Sequence, residues 1–207
     1  MSGAFLERLA ASLVSRPRVY QLVQDLTGQA KTAGRLREAI ARLEHGRMLD
    51  VGSAAGGLSD RLGASPVYLD VDLRPLAALR RRRPRSACVA ADGARLPFPR
   101  ASFDVTLCVA VCHHVADDVL ASMLAELARV TAGHLVLLEP LRNDARAASR
   151  LLWRYDRGRH PRTRQELADY VEARFRIREA AEYRIYHDYW LCVARPSPEA
   201  GGRILGA

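Results

Sequence analysis

Between Arg47 and Pro140 the chain alternates short apolar runs with stretches of helical periodicity, and few folds accommodate that rhythm. The runs RMLDV, PVYLDV, SACVAA, FDVTLCVAV and HLVLLEP have strand length and composition. Between them lie GLSDRLG, RPLAALRRR and DDVLASMLAELARV, the last with Leu120, Met123, Leu124 and Leu127 on one helical face. Strands joined through helices pair in parallel, so the pattern predicts a doubly wound α/β sheet with helices on both faces. Further on, TRQELADYVEARF predicts a helix with Thr163 as N-cap and Glu166 at capping-box spacing. The stretch FRIREAAEYRIYHDYWLCVARP reads as two strands joined by a tight connection and paired antiparallel at one edge, which brings the mostly parallel sheet to seven strands. The first 45 residues read as helices; Leu36, Ile40 and Leu43 recur at helical spacing, and Gly46 is expected to stop that helix.

Composition removes several classes. Apolar residues make up 49% of the chain, too many for a disordered segment. No apolar run is long enough to cross a bilayer, and Glu7 and Arg8 interrupt the N-terminal apolar stretch, so neither a membrane span nor a secretory signal is expected and the cytoplasm is. The net charge of +9 comes almost wholly from arginine, Lys31 being the only lysine. Such a bias fits a codon preference, and Arg80–Arg83 are expected on a solvated helix end, so no nucleic-acid partner is expected. The four cysteines, Cys88, Cys108, Cys112 and Cys192, form no CxxC pair and no ligand cluster, so no metal is expected.

The chemistry is carried by the strand ends. After Asp50 the first strand runs into Gly52-Ser53-Ala54-Ala55-Gly56-Gly57, a glycine-rich turn that lets a ligand approach the backbone. A dinucleotide site would place a glycine where Ala54 stands. Asp72 ends the second strand 20 residues after Gly52, a position suited to accept hydrogen bonds from ribose hydroxyls, or else to cap the helix that follows. Asp92-Gly93 follows the third strand, where a carboxylate can accept from an adenine amino group.

In order and spacing, MLDVGSAAGG, LDVDLRP, ADGARLPFPRASFD, CHHV and LVLLEP resemble the class I S-adenosylmethionine (SAM)-dependent methyltransferases, closest to the ubiquinone/menaquinone and sugar O-methyltransferase branch. The resemblance spans about residues 45–140 and implies a Rossmann-like fold that uses SAM and releases S-adenosylhomocysteine. It implies that Asp50, Gly52, Ser53, Ala54 and Gly56 hold the methionine part, Asp72 and Leu73 the ribose, and Asp92 and Gly93 the adenine, with Val109 beside the cofactor. Asp70 stands where the family usually has a small residue. On this reading residues 1–207 form one domain: a helical cap over 1–45, a SAM-binding core over 46–140, an acceptor-covering segment over 141–162, and the last helix and hairpin over 163–207. A homodimer is compatible with it.

Methyl transfer to a hydroxyl needs alignment and removal of one proton. His113 and His114 follow the fourth strand, and Glu139 ends the fifth next to them, placed to orient an imidazole. The sugar O-methyltransferases that the chain resembles carry the same arrangement, which makes these three the expected catalytic residues. The histidines are alternatively expected to cap the next helix. The segment 141–162 holds Trp153, Tyr155 and His160, and Arg142, Arg146, Arg154 or Arg157 would suit an anionic small-molecule acceptor. Tyr186, His187 and Asp188 are expected as turn residues of the final hairpin. O-methylation in a biosynthetic pathway is the leading expectation. The rivals are a SAM-binding protein without methyl transfer, structural or cyclase-like, and an RNA methyltransferase. A nicotinamide oxidoreductase is disfavoured by Ala54 and by Asp92-Gly93.

Overall fold

A computed structural model describes residues 29–44, 46–54, 56, 62, 65–156, 158–185 and 187–198. The helices expected within residues 1–28 and, but for Leu62, over 57–63 lie outside the described residues. The first described element is α1 (Gln29–Ala41), which ends at Ala41, before the expected stop at Gly46. Then come β1 (Met48–Val51), β2 (Val67–Asp70), α2 (Leu73–Arg82), β3 (Cys88–Ala90), β4 (Phe103–Val109), a 3-10 turn (Cys112–His114), α3 (Asp117–Val130) and β5 (Thr131–Leu141). The chain continues with α4 (Ala147–Tyr155), α5 (Arg164–Glu172), β6 (Phe175–Arg184) and β7 (Asp188–Pro196).

The seven strands form one sheet in the order β3-β2-β1-β4-β5-β7-β6. β1 to β5 pair in parallel, and β7 inserts antiparallel between β5 and β6. The predicted doubly wound, mostly parallel architecture with a C-terminal antiparallel hairpin is therefore the one observed. Winding reverses between β1 and β4, and in open α/β sheets ligands bind beyond the carboxyl ends of the strands at that switch point.

Both faces of the sheet are covered, which is why the central strands are apolar on every side. On one face Leu120, Leu124 and Leu127 of α3 and Leu167 and Val171 of α5 pack against Leu49, Cys108, Leu135 and Leu137. On the other, Leu36 and Ile40 of α1 meet Val105, Leu107, Val136 and Leu138. Each fully buried leucine contributes roughly 1.5–3 kcal/mol over an exposed one. Thr163 and Glu166 form the expected capping box at the start of α5. No helix among the described residues is long and apolar enough to cross a membrane.

Candidate cofactor and acceptor site

The carboxyl ends of β3, β2, β1, β4 and β5 lie side by side and carry, in that order, Asp92, Asp70 and Asp72, Asp50 and the glycine turn, Val109 to His114, and Glu139. The turn after β1 is held by its own backbone. Ser53 N–H donates to Leu69 O at 3.0 Å and Gly56 N–H to Ser53 O at 2.7 Å. Gly52 has φ +68°, and the Val111 side chain fills the space where a Cβ on Gly52 would sit, so only glycine fits. Ala54 has φ +48° and bears the cost of a left-handed alanine. Asp70 keeps it there, because its Oδ2 accepts from Ala54 N–H at 2.8 Å while Oδ1 accepts from Asp72 N–H at 2.9 Å. The carboxylate that departs from the family pattern thus ties the glycine turn to the Asp72 turn.

Asp72 caps α2, its Oδ1 accepting from Arg74 N–H at 2.9 Å. It stands between Val71 and Leu73, which are 76% and 67% exposed and form an apolar ledge beside the carboxylate. Asp92 bonds Ala94 N–H at 2.9 Å, and Gly93 lies against Met123. The loop that follows is pinned by α3: Glu126 accepts from Leu96 N–H at 2.8 Å, and Arg129 donates to Phe98 O at 2.7 Å and Leu96 O at 3.0 Å. Asp50 is buried at the end of β1, and Val109 is half-buried at the end of β4. The Ser53 hydroxyl is buried with no hydrogen-bond partner among the described residues, a polar atom that a ligand could satisfy.

These features fit SAM. Carboxylates at the ends of β1, β2 and β3 suit a ligand with an ammonium, a sulfonium, ribose hydroxyls and an adenine amino group, and would repel the pyrophosphate of a dinucleotide. The ledge of Val71 and Leu73 offers apolar surface beside the Asp72 carboxylate.

The turn after β4 is built differently. Glu139 is 2% exposed, and it accepts backbone N–H bonds from Val111 and Cys112 at 3.1 Å each and from His113 at 2.9 Å. Glu139 Oε1 also pairs with His113 Nδ1, as the sequence suggested for one of the two histidines. His113 is itself buried, and its Nε2 faces Asp156 Oδ1 at 3.8 Å. Burial lowers the affinity of His113 for a proton, but the hydrogen bond and charge of Glu139, with Asp156 behind it, outweigh that and raise its pKa above the ordinary value. His114 is exposed, its ring tilted against that of His113 with centroids 4.0 Å apart. Neither histidine caps α3, whose N-cap is Ala116 without a side-chain bond.

Arg162 closes the turn from the other side and gave no signal in the sequence. It is 6% exposed and donates to Cys112 O at 2.7 Å, His160 O at 3.1 Å, Val115 O at 2.9 Å and Asp117 Oδ1 at 2.7 Å. Its hydrogen bond and positive charge hold the Asp117 carboxyl below the usual carboxylate range. The arginines singled out for an anionic acceptor are differently placed. Arg142 pairs with Glu166 and Asp144, and Arg146 pairs with Asp188. Arg154 is exposed, and Arg157 lies outside the described residues. His187 and Asp188 are more than turn residues, with 1% and 9% exposure at the start of β7. Tyr186 lies outside the described residues. Trp153 bridges the two histidines, its ring centroid 5.6 Å from that of His113 and 4.6 Å from that of His187. Among the described residues no three His, Cys, Asp or Glu side chains group as metal ligands.

Residues 49–137 match the family model of the methyltransferase domain. No curated protein matches the sequence. Among solved structures, the chain is similar to the N-methyltransferase NodS from Bradyrhizobium japonicum in complex with S-adenosylhomocysteine (TM-score 0.68, 18% identity, covering 85% of this chain and 91% of that one). It is similar to the 1,6-didemethyltoxoflavin-N1-methyltransferase of Burkholderia thailandensis (TM-score 0.65, 18% identity, 95% and 91% covered). The [4+2]-cyclase SpnF has the same fold (TM-score 0.63, 17% identity, 78% and 80% covered).

Proposed function

We propose that the chain is a class I SAM-dependent methyltransferase that methylates a small-molecule acceptor at a hydroxyl oxygen, with His114 as the base; the methyltransferase-domain match over residues 49–137 and the shared fold support this reading. The observation that carries this reading is the contrast between two adjacent histidines: His113 is buried between carboxylates, while His114 is exposed on a turn whose backbone is fixed by Glu139 and Arg162. Bound SAM supplies an electrophilic methyl carbon on a sulfonium. Asp72 would accept from the ribose hydroxyls, Asp92 from the adenine amino group, and Asp50 with the Gly52–Ala54 turn would hold the methionine end. Gly56, Leu73, Gly93 and Val109 complete the proposed cofactor site. His114 takes the hydroxyl proton as the acceptor attacks, and Glu139 and His113 hold the turn that presents it.

A second reading rests on His113. A carboxylate at each nitrogen favours the already protonated ring and leaves neither nitrogen open to an acceptor proton, so only one of the two expected bases remains. An amine acceptor, which attacks through a neutral lone pair, needs less from the protein. The test is methyl transfer from labelled SAM to matched hydroxyl and amine acceptors. His114→Ala is expected to lower kcat on hydroxyl acceptors by about 10² or more, with SAM affinity unchanged. Full activity of that variant across pH would replace the base hypothesis with amine methylation. No labelled product from any acceptor, with SAM still bound, would favour a role without methyl transfer.

A further inference from the structure

Asp156 follows α4, in the segment between β5 and α5, yet its side chain is only 11% exposed. Its backbone N–H completes the end of α4 on Leu152 O at 3.0 Å, and its Oδ1 accepts from Gly158 N–H at 2.7 Å. Those bonds aim the carboxylate inward. Oδ1 faces His113 Nε2 at 3.8 Å, and Oδ2 faces His187 Nε2 at 3.9 Å. The segment also closes over the His113 ring. The Gly158 Cα lies so near the ring that no side chain fits there, and His160 N–H donates to His113 O at 2.9 Å.

We propose that Asp156 is a positioning residue for the turn that carries His114, acting through His113. Glu139 takes one ring nitrogen of His113, Asp156 faces the other, and the imidazole becomes a two-ended brace between the end of β5 and the segment after α4. Only the doubly protonated ring can donate toward both carboxylates, so the brace is strongest when His113 is an imidazolium. The groups around it are consistent with that state. Glu139 and Asp156 are acidic and favour the charged ring, the Arg162 guanidinium opposes it more weakly while its donors go to the Cys112, His160 and Val115 carbonyls and to Asp117, and Trp153 is neutral. His114 lies against the ring on the turn itself. His187, on the far side of Asp156, is held neutral by burial, which lowers its pKa to about 4. Of the two histidines that face the Asp156 carboxylate, the environment favours the charge on the one that braces the turn. In this way the segment between α4 and α5 is fastened to the catalytic turn.

The inference rests on His114 being the group presented to the acceptor, but its first test does not depend on turnover. Nitrogen NMR of the imidazole rings of the full chain is recorded at pH 6.5, where an ordinary histidine is half charged. His113 is expected to be mostly imidazolium with both nitrogens protonated. A ring that is half neutral or more at that pH overturns the proposal in the wild-type protein. In Asp156→Asn the midpoint of His113 is expected to move to lower pH, and Asp156→Glu to restore part of the shift. An Asp156→Asn midpoint equal to the wild type overturns the proposal. With an active acceptor in hand, Asp156→Asn should lower kcat by about tenfold at unchanged SAM affinity, with rescue by Asp156→Glu. A folded Asp156→Asn that keeps the wild-type kcat and pH profile also overturns it. If no acceptor is methylated, the reading of the reaction fails while the NMR titration still decides the brace.

Discussion

Asp72 carries two duties that a single substitution can separate. Its Oδ1 caps α2, and the proposed role is to accept from the cofactor ribose. Asp72→Ala should bind SAM about ten- to hundredfold more weakly, the loss of a charge-assisted hydrogen bond. It should also cost about 1 kcal/mol of stability for the lost cap. Calorimetry and thermal melts measure the two effects apart, and full affinity with only the stability loss would leave Asp72 as a cap alone. Ala54 makes the opposite case. Its φ of +48° is strained for alanine and free for glycine, so Ala54→Gly should raise native-state stability by up to about 1 kcal/mol, seen as a higher denaturation midpoint. The motif spacing located both residues. It did not reveal that Asp70 holds the Ala54 turn, because the bond from Ala54 N–H to Asp70 joins two strand ends 16 residues apart.

At the scale of elements, the alternation of periods predicted all seven strands and the antiparallel hairpin. The central strands were legible because burial on both faces leaves nearly continuous apolar runs such as FDVTLCVAV. The turn after β4 was legible in part: His113, His114 and Glu139 stood out by type and place. Arg162 did not, since an arginine before a capping box looks like any solvated residue until the fold brings it to Cys112, some 50 positions earlier in the chain. It is nonetheless the group that satisfies the carbonyls of that turn. Arg162→Ala should therefore destabilise the fold by about 3 kcal/mol by leaving buried acceptors unpaired. Arg162→Lys should recover only part of this, because an ammonium lacks the planar fork that spans Cys112, Val115 and Asp117. Urea unfolding of the two variants checks both statements.

Over the whole molecule, two buried histidines give stability opposite dependences on pH. His187 is neutral in the fold with a pKa of about 4, against 6.5 when unfolded. The unfolded chain therefore takes up a proton first, and up to about 3 kcal/mol of stability is lost as pH falls from 6.5 toward 4. His113 has a raised pKa, so its contribution is complete below 6.5 and fades as pH rises through its folded value. His187→Gln should flatten the acid side of the stability curve and leave the alkaline side in place, as pH-dependent melts can show. The account as a whole depends on the cofactor that the strand ends receive, and calorimetric titration of the purified chain tests that most directly. SAM and S-adenosylhomocysteine should each bind saturably at one site per chain, with NAD giving no heat of binding. Saturable binding of NAD with no signal from SAM would contradict the account at its base.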